Sequence, residues 1–366
     1  MDPALGLAIL LASLACLGTW PALLDLSSLH GRHPSHAYLD YSTAILVVAS
    51  VLALVSQEPL LETSWASIAL AGGGGCLLMA GNLSMQRSLL LGVPLSIVLP
   101  LQGSLCVVLG TSVNYVLQPA RSEPTILFCG VAAFLAAIAL SAAAHLAHER
   151  EADADGERER RRGHNTACAR LLLPDAPLDS AGQQPLRRGA SPVTGLVLAA
   201  AGGCCFGFFT PAFNLAVNDE LGWAAAGGGR PLGVFAANGF FCLAFAASAW
   251  VVNLALMRWP PPGARRSSLT EYLHSWRRLR GRGRALGFAL LAGLLCALGN
   301  AAQFLGGSLA GFAAADLVQA YPLVSTLWGM GLFGEFRGAS RRVWCLLAAM
   351  YSSFVAAVAL LALSVR

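Results

Sequence analysis

The feature that most constrains this chain is a stretch of fifty residues, 285–334, that carries one formal charge, Asp316. Fifty residues hold two membrane-spanning helices, because each needs about 20 residues to cross a hydrocarbon core of ~30 Å. Asp316 then lies within the second helix. An ionisable group at that depth costs about 2.5–3.5 kcal/mol on insertion scales, so we interpret it as a substrate, ion or proton site. The structural alternative is an aspartate that caps a helix or pairs with an amide.

The composition extends this interpretation to the whole chain. Charged residues make up only 12% of the sequence, and the mean hydropathy is +0.63, which is untypical of a soluble domain. We therefore predict an all-α, polytopic membrane protein with ten transmembrane helices. The predicted spans lie at about 3–26, 38–57, 66–86, 91–117, 125–146, 192–216, 231–257, 285–305, 310–334 and 343–364.

The basic residues predict the orientation of these spans. All 24 are Arg, and with ten spans 21 of them fall in the loops after odd-numbered spans. Because cytoplasmic loops accumulate basic residues, both termini should face outward and the central linker inward. This linker, residues 148–191, is polar and poor in large apolar residues, which predicts disorder. We expect a multi-pass protein of the plasma membrane whose basic loops meet lipid headgroups, and we expect no nucleic-acid binding.

Short matching segments divide the chain into two related halves, residues 1–147 and 192–366. The matching pairs are Thr19–Ala22 with Thr210–Ala212, Gly81–Asn82 with Gly299–Asn300, and Pro100–Leu101 with Pro322–Leu323. Five spans in each half is an odd number, so the two copies insert with opposite orientation. This predicts two five-helix inverted repeats with a substrate site between them near the membrane midplane. Prolines within four of the spans predict interrupted helices around that site: Pro21, Pro100, Pro211 and Pro322.

Amides and aromatic rings within the spans are the candidates for substrate binding. A primary amide offers two donors and an acceptor, which suits a neutral ligand with N–H and C=O groups. Aromatic rings stack on a flat ligand. Interhelical hydrogen bonds and ordinary packing are the alternative roles of such residues. The predicted substrate-binding residues are Asn82, Asn300, Gln303, Gln319, Trp20, Phe209 and Tyr321.

Three further features concern the predicted cytoplasmic side and the chemistry of the chain. Glu335 and Arg337 follow span 9, and we interpret them as a gate or a structural ion pair. Residues 269–279 carry apolar side chains at helical spacing beside several Arg residues, which predicts a short helix on the inner leaflet. The sequence contains no recognisable catalytic, metal or nucleotide motif, so we expect no enzyme activity and no cofactor. The oligomeric state is left open.

Seven segments spread in order over the chain carry a family resemblance. They are Leu17–Leu24, Gly31–Ser42, Gly110–Tyr115, Pro211–Asp219, Gly299–Phe304, Ala310–Gly329 and Phe333–Arg337. Together they resemble the ureide permeases, ten-helix transporters of the drug/metabolite transporter superfamily. The resemblance implies import of neutral oxo-substituted nitrogen heterocycles, such as allantoin and uracil, by alternating access and proton symport. Proton coupling would then use Asp316.

The resemblance leaves two alternatives open. One keeps the fold but changes the cargo to another small metabolite, and the other is a membrane scaffold or sensor without transport. The resemblance also implies an acidic residue in span 4, whereas residues 93–102 contain none. Coupling in this chain therefore depends more heavily on Asp316.

Overall fold

The protein, seen in a computed structural model, is a bundle of long helices. The structure describes residues 3–59, 62–91, 93, 95–164, 192–260, 266–277 and 283–366. Regular secondary structure in this part of the chain is entirely helical, which confirms the all-α prediction. Nine of the described helices are long and apolar enough to cross a membrane.

The helices follow the predicted spans closely. Their bounds are α1 Pro3–Leu29, α2 Pro34–Ser56, α3 Trp65–Leu90, α4 Leu95–Leu117, α5 Pro124–His164, α6 Pro192–Asn218, α7 Trp223–Ala226, α8 Val234–Arg258, α9 Leu269–Arg277, α10 Gly283–Ala310, α11 Phe312–Ala315, α12 Tyr321–Trp328 and α13 Arg341–Leu363. Helices α7, α9, α11 and α12 are short, and the others correspond to nine of the ten predicted spans.

The two ends of the bundle are defined by the connections between helices. Ser364, just after α13, accepts a hydrogen bond from the backbone N–H of Glu123, just before α5, at 2.7 Å. Gly6 near the start of α1 lies against Leu309 and Ala310 at the end of α10. Both chain termini thus lie at one end, here called the terminal end. The opposite end, where α5 runs on toward the connection to α6, is called the linker end.

The ninth predicted span is not one continuous helix but a series of short helical pieces. Gly311, with a left-handed φ of +97°, ends α10, and α11 then gives way to a 3₁₀ segment at Asp316–Ala320. Pro322 lies in the first turn of α12, where a missing N–H costs nothing. A π-helical turn at Gly329–Phe333 follows. Helices α1, α4 and α6 instead run through their prolines without a break.

Most helices of the first half pack against helices of the second. Helix α1 packs on α10, α3 on α6, α2 on α8 and α5 on α13. Helix α2 also packs on α10, α3 on α8, α4 on α6, and α1 on α12. The bundle core therefore lies between the two halves.

One boundary differs from the sequence prediction. Helix α5 continues past residue 148, where we predicted the linker to begin, and is described as far as His164. Its extension is rich in Glu and Arg, which are good helix formers. The remainder of the predicted linker, residues 165–191, lies outside the described residues. The predicted amphipathic helix at 269–279 appears as α9, Leu269–Arg277, and residues 278 and 279 lie outside the described residues.

Candidate functional site

Asp316 is almost completely buried, with 1% of its surface exposed, at the start of the 3₁₀ segment. Its carboxylate oxygen Oδ2 accepts a hydrogen bond from Thr111 Oγ1 of α4 at 3.0 Å. Asn114 of α4 and Thr210 of α6 also face this carboxylate as hydrogen-bond donors. We call these four residues the carboxylate site. Helix α4 from the first half and helix α6 from the second half therefore meet at the acid of the 3₁₀ segment.

The close approach of α4 to Asp316 depends on a glycine. A Cβ atom at Gly110 would lie 3.3 Å from Asp316 Oδ2, which is tighter than ordinary contact. Thr111 lies six residues from the end of α4 at Leu117, or about 9 Å along the helix axis. The carboxylate is therefore displaced from the middle of α4 toward the terminal end, which the sequence could not indicate.

The carboxylate site contains hydrogen-bond donors but no countercharge. In the part of the chain that the structure describes, the ion pairs are Arg32–Asp40, Arg230–Glu62 and Arg366–Glu123, and none involves Asp316. Every group that donates to Asp316 is a neutral hydroxyl or amide. A buried carboxylate in such a site is sensitive to protonation, because burial penalises its charged form.

A second group of residues forms an aromatic cluster beside the carboxylate site. Trp20 stacks on Tyr41 with ring centroids 4.9 Å apart, and Tyr41 Oη donates to Cys296 Sγ at 3.0 Å. The rings of Phe213 and Phe304 are stacked with their centroids 3.5 Å apart. The aromatic cluster consists of Trp20, Tyr38, Tyr41, Phe209, Phe213, Phe241, Cys296 and Phe304.

Three of the predicted amides border the aromatic cluster. Asn300 Nδ2 donates to Cys296 Sγ at 3.7 Å, and Asn82 interacts with the hydroxyl of Tyr38. Gln303, the neighbour of Phe304, is 2% exposed, and its Nε2 has no hydrogen-bond partner within the described residues. An unpaired buried amide costs about 1–3 kcal/mol, so Gln303 has donor capacity for a ligand. The structure therefore brings Trp20, Asn82, Phe209, Asn300 and Gln303 to one region.

Two other predicted residues lie apart from that region. Gln319 is half-buried in the 3₁₀ segment, and Tyr321, at the start of α12, is 37% exposed. Neither belongs to the aromatic cluster. Glu335 and Arg337 are both exposed, and they form no ion pair with each other in the described structure. Their role as a gate stays a prediction.

The carboxylate site and the aromatic cluster share two elements. On α6, Phe209 belongs to the cluster and the next residue, Thr210, to the carboxylate site. In the broken span, Phe312 packs with Phe213 of the cluster one helical turn before Asp316. The two regions are thus connected through adjacent backbone positions.

The sequence did not single out Thr111, Asn114 or Thr210 as partners of Asp316. Threonine within a membrane helix usually bonds its own backbone, as Thr43 does with the carbonyl of Leu39 at 2.7 Å. Asn114 lies in a segment that carries the family resemblance, and Thr210 lies in a repeated one. Their place in these segments was the available signal, and it does not indicate which of their residues face Asp316.

A second buried carboxylate, Asp40, lies at the linker end in very different surroundings. Arg32 Nη2 lies 2.5 Å from Asp40 Oδ2, and both side chains are buried. From α9, Tyr272 Oη and Trp276 Nε1 donate to Oδ1 at 2.9 and 3.0 Å. Burial raises the pKa of Tyr272 well above its usual range, so its phenol stays a neutral donor. Arg32 also donates to Ser275 of α9 at 2.9 Å.

Helix α9 is therefore fixed to the bundle by one face. Tyr272 is 4% exposed, whereas Leu273 is 54% exposed on the other side of the helix. The predicted attachment to the inner leaflet concerns only this exposed face. The contact of Tyr272 and Trp276 with Asp40 was not predicted, because an amphipathic sequence pattern does not distinguish a lipid surface from a protein surface.

Long apolar helices around a buried, uncompensated carboxylate define a multi-pass α-helical membrane protein with an internal polar site. The sequence pattern of the ureide permease family matches residues 37–170 and 186–364. The chain belongs to the ureide permease family. It is 37% identical to "Ureide permease 1" of Arabidopsis thaliana, over 97% of this chain and 95% of the relative.

Other comparisons agree with this assignment. The chain is 32% identical to "Probable ureide permease A3" of Vigna unguiculata, over 92% of this chain and 97% of the relative. A solved structure titled "Crystal structure of protein" has the same fold, with a TM-score of 0.57 and 17% sequence identity. That likeness covers 98% of each chain. The fold therefore extends over the whole chain and is shared with proteins of distant sequence.

Proposed function

We propose that the protein is a secondary active transporter that imports ureides and related oxo-substituted nitrogen heterocycles, such as allantoin and uracil, by proton symport with alternating access. The observation that carries the proposal is Asp316, a buried carboxylate that receives only neutral donors at a contact between the two halves. Family membership supports the class of substrate, because the curated relatives are ureide permeases.

The packing of the helices supports ten membrane segments in two inverted repeats. Under this scheme the broken span is the ninth segment, and each helix of the first half has a counterpart five segments later. If each segment is replaced by its counterpart, the α1–α10 contact becomes the α6–α3 contact, and the α4–α6 contact becomes the α12–α1 contact. All four contacts occur in the structure. The contacts α2–α8 and α5–α13 are unchanged by this replacement, because each joins a segment to its own counterpart. Inverted repeats of this kind are typical of secondary transporters.

The aromatic cluster is the proposed substrate site. Its rings provide faces for a flat heterocycle, and Asn82, Asn300 and Gln303 provide donors and acceptors for N–H and C=O groups. The side chains of this proposed site are aromatic rings, a thiol and primary amides, which carry no charge near pH 7. Such groups suit a neutral ligand better than a charged one such as a nucleotide sugar.

Coupling between substrate and proton would follow from a link between the aromatic cluster and the carboxylate site. A protonated Asp316 is neutral and costs less to bury, so protonation favours a conformation in which the site is closed. If the substrate favours the same conformation, each ligand raises the affinity for the other by the same factor. The adjacent residues Phe209 and Thr210 connect the substrate site with the carboxylate site.

The test is uptake of labelled allantoin and uracil into proteoliposomes or expressing cells as a function of outside pH. We expect accumulation to increase at acidic outside pH and to be lost when a protonophore dissipates the gradient. Accumulation that a protonophore leaves unchanged would contradict proton symport. Failure of every purine and pyrimidine breakdown product to be transported or to stabilise the purified protein thermally would contradict the substrate class.

A further inference from the structure

Three asparagines connect the carboxylate site with the terminal end of the bundle. Asn114 Nδ2 donates to Thr210 Oγ1 at 3.2 Å, and Asn214 Nδ2 donates to Asn114 Oδ1 at 3.2 Å. Asn218 Nδ2, in the last turn of α6, donates to Asn214 Oδ1 at 2.8 Å. We call Asn114, Asn214 and Asn218 the asparagine ladder. It runs along the contact between α4 and α6.

Each hydrogen bond of the ladder points in the same direction. Every amide donates toward Asp316 and accepts from the side of the terminal end, so the amide dipoles add. Aligned hydrogen bonds polarise one another in a low-dielectric interior. A carboxylate can only accept hydrogen bonds, so a chain of donors that ends beside it stabilises its charged form.

The polar path leads to only one end of the bundle. Asn114 and Asn214 are fully buried, whereas Asn218 is exposed near the exposed hydrogen bond between Gln118 Nε2 and Glu220 Oε1. Toward the linker end, the buried side chains next to the carboxylate site on α4 and α6 are Cys106, Val107 and Phe209, and the next buried amide on α4, Gln102, lies about 13 Å from Thr111 along the helix axis. Within the described residues, polar side chains therefore connect Asp316 with the terminal end, and less polar ones separate it from the linker end.

Simple interhelical attachment does not account for the ladder. Such hydrogen bonds contribute about 0.6 kcal/mol each in membrane proteins. The symmetry-related contact between α1 and α12 is made without any asparagine: Ser325 Oγ donates to Gly18 O at 2.9 Å, and Trp328 Nε1 donates to Thr19 Oγ1 at 3.0 Å. Packing a helix pair of this kind thus does not require three amides in series, and only the pair beside Asp316 has them.

The other ionisable groups around Asp316 do not replace the ladder. The elements that pack against residues 316–320 carry these thiols and phenols: Cys16 of α1, Cys106 and Tyr115 of α4, Tyr321 of α12, and Cys345 and Tyr351 of α13. Free thiols and phenols carry no charge near pH 7. The charged residues of the same elements, Asp25, Arg341 and Arg342, lie at the linker end of α1 and α13.

We infer that Asn214 and Asn218 are positioning residues for proton exchange at Asp316, and that in this conformation the exchange takes place with the terminal end. The inference rests on the proposed function. In this step a hydronium ion from the terminal side gives its proton to an oxygen of Asp316 and leaves as water. The ladder acts through Asn114 and Thr210, which donate at the carboxylate, and it carries no proton itself.

The test compares the pH profile of uptake for Asn214→Leu with that of Asn253→Leu. Asn253 is a matched control, because it is a buried amide of α8 that donates only to the Ala249 carbonyl of its own helix, at 2.8 Å. Removing Asn214 weakens the donors that stabilise the carboxylate. We expect the pH of half-maximal uptake to move up by about one unit in Asn214→Leu and to stay at the wild-type value in Asn253→Leu.

A second variant covers the case in which Asn214→Leu does not fold. Asn218→Leu changes the exposed end of the ladder, and we expect a smaller upward shift in the same direction. An unchanged pH profile in whichever of the two variants is folded and transports would overturn the inference while leaving proton symport intact. A wild-type protein whose uptake does not depend on pH would instead contradict the proposed function, and the inference with it.

Discussion

The two buried carboxylates of this protein, Asp316 and Asp40, have opposite electrostatic surroundings. Asp40 has a guanidinium at 2.5 Å and two further donors from α9, so its charge is compensated. Asp316 has hydroxyl and amide donors but no cation among the described residues. The comparison teaches that burial alone does not assign a role. A compensated carboxylate attaches one element to another, whereas an uncompensated one can change its protonation state.

Asp316→Asn should produce the largest functional effect. The amide is nearly isosteric and cannot ionise, so we expect concentrative uptake at acidic outside pH to be abolished while exchange across the membrane persists. Thermal stability of the purified protein should stay the same or rise, because no countercharge is left unpaired. Measurements of accumulation, exchange and melting temperature on one preparation check all three expectations. Wild-type accumulation in this variant would remove Asp316 from the mechanism.

Asp40→Asn should produce the largest loss of stability. Removing one partner of a buried ion pair leaves Arg32 uncompensated, at a cost of about 3–5 kcal/mol. The double variant Arg32→Leu/Asp40→Leu should recover part of that loss, because neither charge is then buried alone. Thermal unfolding of the single and double variants in detergent measures the difference. Equal stability of Asp40→Asn and wild type would mean that the two carboxylates do not differ as described.

Thr111→Val should shift the pH dependence of uptake without abolishing transport. The substitution keeps the shape of the side chain but removes the hydroxyl that donates to Asp316 at 3.0 Å. A hydrogen bond to a charged group contributes about 1.5–3 kcal/mol, so the pH of half-maximal uptake should rise by about one to two units. Thr43→Val is the control, because it removes a membrane-helix hydroxyl that donates to the Leu39 carbonyl and accepts from Trp250 Nε1 rather than contacting Asp316. A downward shift would contradict the role of Thr111 as a donor to the anion.

Trp276→Phe should have the smallest effect of the four. It removes one of the donors to Asp40 but keeps Arg32 and Tyr272 in contact with the carboxylate. We expect a loss of about 1.5 kcal/mol, the lower end for a hydrogen bond to a charged group, because the other partners of Asp40 remain, and no change in the pH profile of uptake. Comparing the melting temperature with the uptake profile checks both points. A shift of the pH profile would connect the linker end to the carboxylate site.

Much of the fold could be predicted from hydropathy and arginine placement, but the broken span could not. Counting apolar residues gives the length of a span and says nothing about how its backbone hydrogen bonds are satisfied. Residues 310–334 are apolar enough for one helix, yet Gly311 and Pro322 divide them into short helical pieces. Conversely, Pro21, Pro100 and Pro211 suggested interruptions that the helices do not have.

In the candidate site, Asp316 could be predicted from the sequence, whereas its hydrogen-bond partners from distant segments could not. Asp316 was recognisable because it is the single charge in fifty residues. Its partners on α4 and α6 lie 205 and about a hundred residues away in sequence, and only the fold brings them together. The i, i+4 spacing of Asn214 and Asn218 was visible, but it does not reveal that Asn114 continues the series from another helix.

The pairing of helices across the two halves has a consequence for how the protein is made. Helices α1, α2, α3 and α5 find their main partners in α10, α8, α6 and α13. During synthesis these four helices therefore enter the membrane before the surfaces that pack against them exist, and α5 has its main partner only once α13 has been inserted. A chain truncated before α13 should therefore be degraded rather than accumulate as a stable fragment.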